Sequence, residues 1–152
     1  MFPVDETLRR YLKKNGREVK LPVAYSDLLR YTYSVPLLDK HGKDTLWEKT
    51  IYDKREWDFI REGLVKIYAT LKTEGDLSFI KHLDVARIDY CSFGNSHPFR
   101  IRIVNKFNDN YDHYYIKIAD ASRIYGLELE HLLSPNHITY FTHQETLVEE
   151  HI

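Results

Sequence analysis

The stretch YYIKIADASRIYGLELEHLL, residues 114–133, decides the fold. Its first part is β-branched and aromatic, which predicts a half-buried strand with Lys117 on the face opposite the isoleucines. Its second part carries isoleucine and leucine at helical spacing, which predicts a packing helix over Ser122–Leu133. Pro135 then ends the helix, because proline cannot continue the backbone hydrogen-bond ladder. The stretch therefore predicts a strand followed directly by a helix.

Four further segments predict strands on either side of this stretch. Ile138–Phe141 and Thr146–Val148 are short apolar segments that predict a hairpin, whereas Val85–Tyr90 and Phe99–Lys106 precede the central stretch. The order of three strands, one helix and two strands predicts an α+β fold, with one helix packed on a five-stranded antiparallel sheet. We expect this unit to occupy residues 76–152.

Residues 1–75 are expected to form a mainly helical N-terminal extension. Its clearest helix, Lys54–Thr73, has apolar residues at helical spacing after the N-cap residue Asp53. Two shorter helices are predicted over Asp5–Lys14 and Ser26–Tyr33. The segment between the second and third helices predicts a hairpin or an irregular loop.

Composition excludes several classes of protein. Hydrophobic residues make up 43% of the chain, which is enough for a folded core. The formal net charge of −1 gives no electrostatic case for a nucleic-acid partner. The single cysteine, Cys91, forms no internal disulfide and suits a reducing compartment. No signal-like or membrane-spanning apolar segment is present, so a cytoplasmic protein without a membrane partner is expected.

The order of a strand with a Lys, a helix with a Glu, a hairpin and an acidic segment resembles a known family. It is similar to the small, N-terminal lobe of the protein-kinase-like fold, most closely in the aminoglycoside phosphotransferase and small-molecule kinase branch. In that family the strand Lys pairs with the helix Glu and holds the nucleotide phosphates, and an acidic hinge grips the adenine. The resemblance implies Lys117 as the strand Lys, Glu130 (or Glu128) as the helix Glu, and Glu149 and His151 in the hinge segment.

The loop before the second strand lies where this family has its phosphate-covering turn. Ser92, Gly94 and Ser96 supply part of the small-residue character that lets backbone N–H groups approach phosphate oxygens. A full G-x-G-x-x-G pattern is absent, and an ordinary hairpin loop is the alternative interpretation. For Lys117 the alternative is an outward-facing lysine on a half-exposed sheet.

The resemblance implies ATP with Mg as the cofactor of an incomplete phosphotransferase. The catalytic and metal-binding groups of the family lie beyond the hinge, so no catalytic or metal-ligating residue is assigned and the chain alone is expected to be inactive. A missing large lobe or partner chain, or self-association through an apolar strip at Val148 and Ile152, is expected. The chain is then a fragment, a truncated product or half of a split protein. The alternative function is a non-catalytic protein-interaction or regulatory module.

Overall fold

The computed structural model describes residues 2–73, 77–93 and 96–151. The helices are α1 (Glu6–Lys14), α2 (Tyr25–Leu28), α3 (Lys54–Thr73) and α4 (Ala121–Leu133), with a 3-10 helix over Leu77–His82. The strands are β1 (Tyr33–Leu38), β2 (Asp44–Ile51), β3 (Leu83–Tyr90), β4 (Phe99–Asn105), β5 (Asn110–Ile118), β6 (Tyr140–His143) and β7 (Thr146–Glu150). None of these helices combines the length and apolar character needed to cross a membrane.

The predicted α+β class and antiparallel sheet are confirmed, but the predicted number of strands is wrong. Within the described residues, the sheet has seven strands rather than five, in the order β1-β2-β3-β4-β5-β7-β6. The two additional strands come from the N-terminal segment, which forms a hairpin. Its strand β2 pairs with β3 through Glu48 opposite Tyr90 and Lys49 opposite Asp89. The hairpin was one of the two interpretations of that segment, but its pairing with β3, across about forty residues, has no local sequence signal.

The long helix α3 covers one face of the sheet. Its predicted bounds are confirmed, and Asp53 accepts a hydrogen bond from the Glu56 N–H at its start. The Tyr114 hydroxyl of β5 donates to the Leu64 carbonyl of α3 at 2.7 Å, which fixes the helix against the sheet centre. The core between them contains Ile60, Leu64, Ile67 and Leu71 of α3 and Ile88, Phe99, Ile101, Ile116 and Val148 of the sheet.

Helices α1 and α4 cover the opposite face, but only at the end formed by β7 and β6. Asp5 accepts a hydrogen bond from the Leu8 N–H at 2.8 Å and caps α1. This second core contains Leu8, Leu12, Ile124, Leu127, Tyr140 and Leu147. The predicted packing of the helix that follows the lysine-bearing strand is therefore observed.

The register of the central strands decides which residues face α4. Lys117 of β5 lies opposite Leu147 of β7, and paired residues of antiparallel strands share a face. Since Leu147 packs with α1 and α4, Lys117 lies on the same face of the sheet as α4. The neighbouring pair, Ile116 and Val148, faces α3 instead.

Two local expectations are corrected. The second predicted helix ends at Leu28, and the next residue, Leu29, is 46% exposed because the chain turns there towards β1. Val148 is fully buried between β5 and β6, so it forms no exposed strip, and Ile152 lies outside the described residues. Exposed apolar side chains lie instead on α4, at Tyr125, Leu129, Leu132 and Leu133.

Candidate functional site

A buried carboxylate bracketed by two cations lies where β5, β7 and α4 meet. Glu149 of β7 is 3% exposed, and its carboxylate lies 2.9 Å from the Lys117 ammonium. The Arg123 guanidinium, from the first turn of α4, donates to the same carboxylate. We call Lys117, Glu149 and Arg123 the Glu149 triad. Because it holds two cations and one carboxylate, the Glu149 triad has a net positive charge.

The electrostatics of the triad are dominated by its ion pairs. Burial alone raises the pKa of Glu149, but hydrogen bonds and charge from Arg123 and Lys117 outweigh burial and hold it below its ordinary value. The hydrogen bond to Glu149 likewise raises the pKa of Arg123. The carboxylate is therefore ionised at neutral pH, and it fixes the positions of both cations.

An open cleft of about 510 Å³ lies beside the triad. Asp120, at the N-terminal end of α4, accepts a hydrogen bond from the Phe2 N–H at 2.7 Å, and both residues line the cleft. The lining residues are Phe2, Ser96, Lys117, Ile118, Asp120, Ser122, Arg123 and Leu147. The cleft thus combines two cations, one further carboxylate and two hydroxyl groups.

The residues of the predicted phosphate loop separate in the structure. Ser96 lines the cleft beside Lys117, whereas Ser92 is exposed and is not among the lining residues. Gly94 lies outside the described residues. The His97 carbonyl accepts a hydrogen bond from the Tyr25 hydroxyl at 2.7 Å, which anchors the C-terminal end of the loop to the core.

The partner of Lys117 differs from the predicted one. Glu130 forms no ion pair within the described chain, and its influence there is electrostatic, since its charge contributes to the raised pKa of Arg123. Glu128 faces the other side of α4, where its carboxylate lies 3.4 Å from Arg17. Lys117 forms its ion pair instead with Glu149 of β7, which the resemblance had placed in the hinge segment.

The remaining predicted residue, His151, lies at the end of β7. Its Nδ1 atom lies 3.0 Å from the Tyr115 hydroxyl, and its ring packs edge-on against His113 at 5.7 Å between centroids. His151 is exposed, and it directly follows Glu150, the last residue of β7.

Sequence reasoning missed Arg123 and Asp120. Both lie in or beside the first turn of α4, directly after the strand that carries Lys117. The sequence signal that could have identified them is the presence of a charged pair, Asp120 and Arg123, at the junction between a strand and a helix. Side chains from both elements come together at such a junction.

No protein family, curated protein or solved structure gives a significant match to this chain. Any function of the site must therefore be inferred from the side chains of this chain alone. Within residues 2–73, 77–93 and 96–151, no group of three His, Cys, Asp or Glu side chains is arranged to hold a metal ion. An Mg²⁺ ion that is carried by a phosphate ligand takes most of its ligands from phosphates and water and needs only one or two carboxylates from the protein. Asp120 is the carboxylate that lines the cleft.

Proposed function

We propose that this chain binds the phosphate groups of ATP with Mg²⁺ in the cleft beside Lys117, as the nucleotide-binding small lobe of a kinase-like phosphotransferase. The observation that carries the proposal is the Glu149 triad. Protein kinases hold the nucleotide phosphates with a strand lysine that forms an ion pair with a glutamate of the packed helix, whereas the partner of Lys117 is a glutamate of the neighbouring strand β7. Here the lysine and the glutamate are 2.9 Å apart.

The charges of the cleft suit an anionic ligand. The Lys117 ammonium group has three N–H donors, and one of them donates to the Glu149 carboxylate. Two donors of Lys117 are left for phosphate oxygens. The Arg123 side chain is 43% exposed, so its guanidinium can contact the same ligand with little added desolvation. A phosphate would offset the positive charge of the triad.

Other parts of the nucleotide are assigned by proximity and by the resemblance. Asp120 would contribute to Mg²⁺ binding, and Ser96 would donate a hydroxyl to a phosphate. The adenine is proposed to lie towards His151, at the end of the strand that carries Glu149. Groups for phosphoryl transfer would come from a second lobe or a partner chain, so the proposal for this chain is limited to binding.

Titration of the whole chain with MgATP, followed by amide chemical shifts and by calorimetry, tests the proposal. We expect shifts at Lys117, Ser96 and Arg123, and weaker binding of AMP because it has fewer phosphates. Lys117→Met should abolish the shifts, whereas Lys106→Met, which removes an exposed lysine after β4, should leave them unchanged.

Absence of any response at millimolar MgATP, or equal binding by Lys117→Met and the unmodified chain, would contradict the proposal. That result would favour the alternative, a non-catalytic interaction or regulatory module.

A further inference from the structure

The sheet face that carries Lys117 continues beyond α4 as a layer of charged and aromatic side chains. The strand register places Lys49, Asp89, Arg100 and Tyr115 in one row across β2–β5. A second row holds Arg87, Arg102 and His113. In the part of the chain that the structure describes, none of these side chains belongs to either hydrophobic core. We call these two rows the polar face.

A second buried carboxylate with two cations lies within the polar face. Asp89 is fully buried, and its carboxylate accepts hydrogen bonds from Arg87 at 2.7 Å and from Arg100 at 2.9 Å. We call these residues the Asp89 triad. Like the Glu149 triad, it has one more positive charge than negative. The two triads lie three strands apart, which is about 14 Å at normal strand spacing.

Two more cations on the polar face have no carboxylate partner among the described residues. They are Lys49, which is exposed, and Arg102, whose Nε atom is buried without a hydrogen-bond acceptor. The pKa of His113 is lowered by burial and then by the charges of Arg100 and Arg102, which indicates a positive potential there. Although the whole chain has a net charge of −1, this face is cationic.

Planar groups lie beside these charges. The Arg100 guanidinium stacks on the Trp47 ring at 4.2 Å, and the Arg102 guanidinium stacks on the Tyr111 ring at 4.0 Å. Tyr111 is 54% exposed. Sheets that bind single-stranded nucleic acid combine these features, because cations contact the phosphates while aromatic rings and guanidinium planes stack with unpaired bases.

We propose that the polar face binds single-stranded nucleic acid. This inference goes beyond nucleotide binding, because it concerns a polymer that runs across β2–β5 from the Asp89 triad towards the Glu149 triad. Stacking requires unpaired bases, so a duplex is bound more weakly than a single strand.

Fluorescence anisotropy with a labelled 20-nucleotide oligouridylate, an oligothymidylate of equal length and a duplex tests the proposal. The two triads, Lys49 and Arg102 provide an excess of about four positive charges, so the slope of log K against log salt should be about −3 for a single strand. We expect both single strands to bind at least several-fold more tightly than the duplex.

Variants of residues that form no ion pair in the described chain distinguish a loss of nucleic-acid binding from a loss of stability. Arg102→Gln should weaken binding several-fold and reduce the salt slope by about 0.7. Tyr111→Ser should weaken binding by about fivefold or more, with little change in the slope, because it removes a stacking ring. The matched control is Arg55→Gln, which removes an exposed charge from α3 on the opposite face of the sheet and should change neither quantity. Arg100 is left intact because its loss would leave Asp89 with one cation.

Three results would overturn the proposal. They are no binding of either oligonucleotide at low salt, equal weakening by Arg102→Gln and Arg55→Gln, and equal competition by a polyanion without bases, such as polyphosphate. If Arg102→Gln fails to fold, as judged by circular dichroism, Lys49→Gln provides the same charge change at an exposed position. Binding of MgATP should be unaffected by Arg102→Gln, so the two proposals fail independently.

Discussion

Replacement of Glu149 by glutamine removes one negative charge from the centre of the candidate site while keeping the size of the side chain. Breaking a fully buried ion pair costs about 3–5 kcal/mol, because the remaining charge is left uncompensated. Here Lys117 is 21% exposed and Arg123 is 43% exposed, so both cations keep some contact with water. We therefore expect Glu149→Gln to lower the free energy of unfolding by a smaller amount, about 2–3 kcal/mol.

Urea unfolding at pH 7 measures this loss. For a chain of this size, a loss of 2–3 kcal/mol corresponds to a decrease in Tm of roughly 4–12 °C. The matched control is Glu145→Gln, which changes an exposed residue in the turn of the same hairpin and should cost less than about 0.5 kcal/mol. Equal losses for Glu149→Gln and Glu145→Gln would refute the assignment of Glu149 as the anchor of both cations.

The pH dependence of the same comparison gives an independent check. The pKa of Glu149 is lower in the folded chain than its ordinary value of 4.5. Its ionised form therefore stabilises the fold above pH 4.5, and this contribution is lost as the pH falls from 4.5 through the lowered folded pKa. The difference between the unmodified chain and Glu149→Gln should shrink over that range, and a difference that is constant with pH would contradict the ion-pair explanation.

Two further expectations test packing and electrostatics. A Cβ atom at Gly63 would lie 2.3 Å from the Val23 side chain, so Gly63→Ala should destabilise the chain by about 1–3 kcal/mol. Gly126→Ala, where no atom lies within 4 Å, should stabilise it by about 0.5–1 kcal/mol, and chemical denaturation that gave the same sign for both would disprove the close approach. NMR titration should place the pKa of His113 below its ordinary value of 6.5, and Arg102→Gln should raise it; an unchanged pKa would show that Arg102 does not act on this ring.

The sequence predicted the elements whose signals are local. The apolar spacing of Lys54–Thr73 predicted the bounds of α3, and the helix predicted over Asp5–Lys14 is observed as α1, Glu6–Lys14. The strand with Lys117 and the helix after it were also predicted, because a change from β-branched alternation to helical spacing is visible within a few residues.

Features that depend on pairing between distant strands were not predictable in this way. The joining of β2 to β3 depends on two pairs of opposite residues, Glu48 with Tyr90 and Lys49 with Asp89, and no local sequence pattern marks these pairs. A register shift between Val85 and Arg87 breaks the alternation of β3, so a strict period of two fails there.

The candidate site shows the same limit. Lys117 was identified from its own strand, but its partner Glu149 follows from the register between β5 and β7. The Asp89 triad was missed because its three residues are drawn from two strands. The net charge of the whole chain, −1, does not show on which face of the sheet each charged side chain lies.

The position of β7 has a consequence for the order in which this protein assembles. Strands β5 and β6 are synthesised before β7, yet each pairs with β7 along one edge. Until Thr146–Glu150 leave the ribosome, those two edges are unpaired, and an unpaired edge is a template for association with other chains. The arrival of β7 closes both edges together and connects the two cores, because Val148 faces α3 and Leu147 faces α4. The sheet is therefore completed at an interior strand, and nascent chains that stop before Thr146 are the form most prone to misassembly.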